Sequence, residues 1–343
     1  EMVKKRILWL DNLKLFAIFL MVLGHCLLAF HFPDYDNNYQ NSLCMFIYSF
    51  HMPLFMVVSG YFSNKLLKRQ TEVKKRFIQL ILPCISFTII CYAIGIFSQN
   101  FWYLKSLFCC YVIYSSLCVL PFSWKIRHLL VAGGLLLFAP LLIHIHYLDV
   151  CKIDFMLPYF ALGLVISKYK DYLSAYYKYA TIFSAICFAV MLYFWDWQYI
   201  WYFSKPSWID YRNLYHSHSL TFDVDSLLFF SVRLVTGAIG SLFFFSIFGW
   251  LNNAFSVAKR ANARIGSLGK YTLHIYLIQS ILFSLIEKYI KINVTDINLY
   301  TYLVAPVMAF TITVLCILVA YSLNQVPFLR FILFGDYSYL KSK

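Results

Sequence analysis

Charge is scarce in this chain. Only 13% of its 343 residues are Asp, Glu, Lys or Arg, against about 25% in an ordinary soluble domain. With 62% hydrophobic and 20% aromatic residues beside that shortage, an ordinary soluble protein is excluded and an integral membrane protein is left. Acidic groups are the scarcer kind: 15 stand against 29 Lys and Arg, for a formal net charge of +14. Nucleic acid need not be invoked for that excess, because positive-inside bias and anionic lipid account for most of it. Metal-ligand spacing is missing among the ten cysteines. They fall mostly within apolar runs and read as small core residues, the adjacent Cys109 and Cys110 included. No internal repeat is evident, which counts mildly against a transporter built from inverted repeats. A separately folding soluble domain is not expected either. One transmembrane unit fills 1–343, with a helical body at about 6–325 and a short tail at 326–343. Glu1 ahead of Met2 reads as an added residue. No cleavable signal is expected, since the apolar run after Lys4, Lys5 and Arg6 is long enough to span and stay.

Long apolar runs are what the chain has in abundance. Ten spans can be drawn, at 8–30, 43–63, 77–97, 101–121, 128–148, 153–169, 176–196, 226–250, 271–290 and 300–323. The expectation is therefore an all-α, polytopic membrane protein with about ten transmembrane helices. With the N-terminus inside, 21 of the 29 Lys and Arg fall in inner loops and five in outer loops, leaving Lys14, Lys105 and Arg233 within spans. Dropping one span would invert everything after it, so both termini are expected to be cytoplasmic. Three connections are long: a polar, acidic outer loop at 31–42, a basic inner loop at 64–76, and an outer segment at 197–225. The last holds Trp197, Tyr199, Trp201, Tyr202, Trp208, Tyr211 and Tyr215 with Asp210, His216, His218, Asp223 and Asp225. Such rings suit the apolar faces of sugars, and they equally suit an interfacial aromatic belt.

Titratable groups inside hydrocarbon are costly and mark candidate functional sites. The first span carries three. Lys14 and His25 are eleven residues apart, which returns them to nearly one helical face about 16 Å apart along the axis, and Asp11 lies about 40° off that line. His51, in the second span, comes at a depth similar to His25 on what should be the adjacent helix, two residues before Pro53. A proline there frees a backbone carbonyl and can open an irregularity that lines a cavity. Imidazole titrates near neutrality and is the usual general base for a hydroxyl proton. The blander alternatives are histidines hydrogen-bonded between helices, and an Asp11–Lys14 pair that merely neutralises itself. If functional, Lys14 would help hold an anionic ligand entering from the cytosol, with Lys74, Lys75 and Arg76 adding positive charge at that level or serving only as a topological anchor. On the outer side Trp102 and Lys105 open the fourth span, and Arg233 lies about two turns into the eighth as a substrate-facing or site-organising cation. His144, His146 and His274 are weaker candidates.

The runs Trp9-Leu-Asp11-Asn-Leu-Lys14, Val22-Leu-Gly24-His25, Phe50-His51-Met-Pro-Leu-Phe55 and Ser59-Gly60 resemble the acyltransferase-3 family of membrane acyltransferases. The likeness is greatest to its sugar and fucose O-acetyltransferase branch. The basic run before span three and Phe101-Trp102-Tyr103-Leu104 fit as well, and the family's Arg/Lys-X10-His signature falls on Lys14 and His25. Lysine at that position cannot make a bidentate phosphate contact. The resemblance implies transfer of an acyl group, usually acetyl, from acetyl-CoA to a hydroxyl of a cell-surface glycan or lipid-linked sugar at a bacterial plasma membrane. On that reading His25, Lys14 and Asp11 form the catalytic column. Lys14, Lys75 and Arg76 hold the acyl-CoA, while His51, Lys105, Arg233 and Trp102 meet the acceptor. No tightly bound cofactor is implied, the CoA thioester being a substrate. A transporter or flippase for a sugar-containing molecule is the competing class.

Overall fold

The computed structural model describes residues 7–29, 38–64, 70–96, 101–144, 152–200, 209–210, 221–255, 257, 260, 264–289, 296–337 and 339. Expectations for the loop at 31–37, for Lys65, Lys68 and Arg69, for His146, and for most of the aromatic segment (201–208 and 211–220) lie outside those residues.

Helices make the body. They are α1 (Leu8–Leu28), α2 (Ser42–Ser63), α3 (Gln70–Ala93), α4 (Trp102–Val119), α5 (Trp124–His144) and α6 (Ile153–Lys168). After these come α7 (Lys170–Ala175), α8 (Tyr177–Tyr193), α9 (Val224–Ala254), α10 (Thr272–Tyr289), α11 (Ile297–Asn324) and α12 (Pro327–Phe334). Among the described residues the only strands are a two-residue antiparallel ladder, β1 (Ile209–Asp210) with β2 (Thr221–Phe222). Among the described residues six helices, α1 to α4, α9 and α11, are long and apolar enough to cross a membrane. Large apolar side chains such as Ile89, Phe183, Ile186, Phe310 and Leu318 point outward from the bundle, as lipid-facing residues do. The chain is a multi-pass helical membrane protein. α5, α6, α8 and α10 are helices at the other four drawn segments, and α3 begins seven residues before its drawn span.

The centre is α2, whose residues 47–58 are buried without a break. A helix apolar all round and walled on every side is a core helix. Its start is fixed by Asn41, which accepts from the amides of Leu43 and Cys44 at 3.1 and 3.2 Å and donates to Thr301 Oγ1 at 2.7 Å. Capping of this kind satisfies the orphan amides of a first turn. Against α2 lies α6 with its backbone in contact: a Cβ on Gly60 would collide with the carbonyl of Phe160, and one on Gly163 with the backbone of Val57 and Tyr61. Close approach through small residues is how membrane helices gain packing without a hydrophobic driving force.

α1 runs antiparallel to α2, with Lys14 over the Phe62 ring and Gly24 against Tyr48. The 266–271 turn packs on the first turns of α1 through Gly266 at Leu8 and Gly269 at Asp11. From there α10 climbs beside α1 until Phe283 meets His25. At the same end the Tyr300 hydroxyl donates to the carbonyl of Cys26 at 2.6 Å. On the opposite flank α8 and α9 are antiparallel, as Thr181 donates to Ser246 at 3.1 Å and Phe188 meets Gly240.

Two helices start part-way along this frame. Tyr103, in the first turn of α4, reaches Ser59 at 3.0 Å, seventeen residues into α2, or about 25 Å along its axis. Phe101, just ahead, has its carbonyl 4.0 Å from Cys84 Sγ in the middle of α3. For α6, Asn64 beside Ser167 and Gly60 beside Phe160 set a parallel register with α2. Run back, it brings Ile153 alongside about residue 50 of α2. The starts of α4 and α6 are therefore recessed below the His25 end of the bundle.

Candidate active site

The two imidazoles lie on neighbouring helices on either side of Tyr48. Gly24 gives Tyr48 room, since a Cβ there would stand 2.9 Å from its ring. The Tyr48 ring then lies edge-on to His51 at 4.8 Å between centroids. His51 Nδ1 sits 2.7 Å from the carbonyl of Ile47. A carbonyl can only accept, so Nδ1 carries a proton, and in the neutral form of the ring the lone pair is at Nε2. That bond also tips the ring toward the start of α2, which is where helical side chains lean, and so toward the level of His25. The two rings are within electrostatic reach of each other. His51 itself is buried, at 2% exposure.

His25 differs from His51. It is half-buried, its ring lies 5.4 Å from that of Phe283, and no described residue gives it a hydrogen bond. Neither nitrogen is among the sealed polar atoms of the interior. An imidazole held by packing and without a hydrogen-bond partner among the described residues keeps a ring nitrogen available to take a proton from a guest molecule.

At the other end of the column Lys14 pairs with Asp11 at 2.6 Å, the lysine side chain 26% exposed and the carboxylate 6%. Gly269 pressed on Asp11 seals the acid side. Lys14 thus keeps an outward face while its pairing partner is enclosed. Lys75 pairs loosely with Glu72 at 3.8 Å, and Arg76 lies over Tyr111 at 5.6 Å and donates to Gln79 at 3.4 Å. These two cations make those contacts along α3 and α4 instead of joining the Asp11–Lys14 pair.

Arg233 is a buried cation at 5% exposure, its guanidinium 4.7 Å from the Phe155 ring and 5.9 Å from Phe229. Tyr159 holds that stretch by donating to the carbonyls of Arg233 and Leu234 at 3.3 and 3.2 Å. One turn on, Gly237 rests on Pro53, which brings this part of α9 to the segment of α2 that carries His51. Asp154 is within electrostatic reach of Arg233.

Trp102 and Lys105 depart from expectation. Sequence puts them at the outer rim. In the fold they sit on the recessed start of α4, Trp102 under the Lys152 ammonium at 5.4 Å and Lys105 half-buried near Cys84. The cause is that α3 and α4 pair antiparallel with Phe101 at mid-α3, as Phe77 against Phe108 at 5.7 Å also requires.

Three groups were not picked out by sequence: the Ser59–Tyr103 hydroxyl pair, Tyr276 with its ring 6.0 Å from Tyr103, and Gln279 at 1% exposure. A lone amide in an apolar span was the available signal for Gln279. Among the described residues no cluster of His, Cys, Asp and Glu could hold a metal ion.

The acyltransferase domain profile matches residues 7–324, from the first turn of α1 to the last of α11. The chain belongs to the acyltransferase-3 family. Two curated relatives share a segment with it. Nodulation protein NolL of Sinorhizobium fredii is 38% identical over 76 residues, 21% of this chain and 21% of that protein. Nodulation protein NolL of Mesorhizobium japonicum is 37% identical over 76 residues, 21% of this chain and 20% of that protein. The match thus spans about a fifth of the length of either relative. No solved structure matches the chain.

Proposed function

We propose that this family member is a membrane-bound O-acyltransferase with ten spans and cytoplasmic termini in a bacterial plasma membrane. It moves an acyl group, acetyl in the first instance, from acyl-CoA on the cytoplasmic side to a hydroxyl of a cell-surface glycan or lipid-linked sugar. The observation that carries this reading is the half-buried imidazole of His25, free of hydrogen bonds to described residues, at the far end of a polar column whose near end is the quarter-exposed Lys14. Polyanionic CoA docks by its phosphates at Lys14, with Lys75 and Arg76 adding positive potential, and only its neutral arm rises between the helices. The acceptor descends from the other side, past the recessed start of α6 with Arg233, while Trp102 and Lys105, near the level of Ser59, lie on the Lys14 side of His25.

His25 takes the proton of the acceptor hydroxyl as that oxygen attacks the thioester carbonyl. The tetrahedral oxyanion collapses, the carbon–sulfur bond breaks, and the proton leaves with the CoA thiol. Neutral His51 offers an acceptor and not a donor, so it orients the incoming hydroxyl. It could stabilise the oxyanion only as imidazolium. Arg233, charged throughout, is the donor for that task. Asp11 keeps Lys14 in place.

The test is reconstitution of the full chain in vesicles, with labelled acetyl-CoA on the Lys14 side and a glycan acceptor on the other. Label appearing on the acceptor supports the reading. Movement of intact glycan without label would support a transporter in its place.

A further inference from the structure

A buried polar atom beside the column lacks a hydrogen-bond partner. Gln279 of α10 donates through Nε2 to the carbonyl of Tyr276 and the hydroxyl of Ser280, both at 3.3 Å. Because the Tyr276 carbonyl can only accept, the amide cannot be turned round, and the atom left without a partner is the carbonyl oxygen Oε1. Burying an acceptor with nothing to accept from is unfavourable, and such an atom asks what fills the space in the working protein.

Its place narrows the answer. Tyr276, Gln279 and Phe283 follow at spacings of three and four and so share one face of α10. The lower end of that face meets Tyr103 and Phe101 and the upper end meets His25. Gln279 is one turn, about 6 Å, from Phe283 toward the Lys14 end. It therefore stands beside the column just before the reacting position, with a free acceptor.

A pantetheine arm carries a matching donor. Two methylenes separate its thioester sulfur from the cysteamine amide, so with the thioester at His25 that N–H comes about one helical turn nearer the phosphates. The geometry points to Gln279 Oε1 as the acceptor for the cysteamine N–H, making it a specificity-determining residue for pantetheine thioesters. This inference rests on the donor reading above. Gln279 holds the arm at one fixed distance from the sulfur, and thereby sets the thioester carbon against His25. A thioester without an amide at that distance is handled less well.

The test uses the full chain in detergent or nanodiscs and measures binding of acetyl-CoA against an analogue whose cysteamine N–H is replaced by an ester oxygen. Wild-type protein should bind the analogue about tenfold more weakly, the size of one hydrogen bond to a buried acceptor. Gln279→Met should bind acetyl-CoA about tenfold more weakly than wild type and show no further loss with the analogue. Equal binding of the two donors by wild type overturns the inference, even if the variant does not fold, and so does an undiminished preference in Gln279→Met. Failure of wild type to bind acetyl-CoA at all overturns the donor reading itself.

Discussion

Replacing Lys14 by Met separates the two meanings of the Asp11–Lys14 pair. Methionine keeps an apolar stem over Phe62 and removes the charge, so the packing changes little. Asp11 then remains as a carboxylate with its side chain only 6% exposed. Removing one partner of a fully buried pair costs about 3–5 kcal/mol. Lys14 is a quarter exposed and water screens the pair, so a cost of about 2 kcal/mol is expected here. Asp11→Asn in the same protein removes that buried charge and should recover most of the loss. Catalysis should not recover with it. If Lys14 holds a donor phosphate, both Lys14→Met and the double variant lack a charge-assisted contact of about 1.5–3 kcal/mol, enough to raise the KM for acetyl-CoA about tenfold or more. The KM for the acceptor should stay put, because the acceptor arrives at the other end of the column. Melting curves and steady-state kinetics with each substrate varied in turn read both quantities. A double variant that regains the wild-type donor KM would reduce the pair to structural neutralisation. A change confined to the acceptor would place the donor elsewhere.

Two further expectations concern stability. Gly163→Ala drives a methyl group into the backbone of Val57 and Tyr61, which cannot yield as a side chain would. A loss of about 2 kcal/mol or more, read as a lower melting temperature, is expected from such overpacking; an unchanged melt would mean α2 and α6 are not in backbone contact. Asn41→Ala strips the cap of α2 and its bond to Thr301, for about 1–2 kcal/mol. Asn41→Asp should keep the cap and lose only the donor to Thr301, so equal damage from both variants would argue against the capping role.

How much could be read beforehand follows from what each signal measures. Helical period alone aligned Asp11, Lys14 and His25, because three groups on one helix need no knowledge of neighbours. The placing of His25 and His51 on neighbouring helices was legible too, since consecutive spans run antiparallel and are usually adjacent. Hydropathy finds segments but not how far along its neighbours each begins, and so Trp102 and Lys105 were expected at a rim from which they are recessed. Gln279 escaped for a related reason. An amide among Leu, Ile and Phe has no charge to flag it, and only its orphaned oxygen beside the column gives it meaning. The tightness of α2 against α6 depends on Gly60 meeting Phe160, and Gly163 meeting Val57 and Tyr61, across about a hundred residues of sequence, which no local pattern announces.

The most direct test of the proton-taking role is His25→Ala in the purified full-length protein, with acetyl transfer and acetyl-CoA binding measured on the same preparation. Transfer should fall by about a hundredfold or more, the contribution expected of a positioned base, while acetyl-CoA still binds. Turnover at the wild-type rate in that variant would contradict the account.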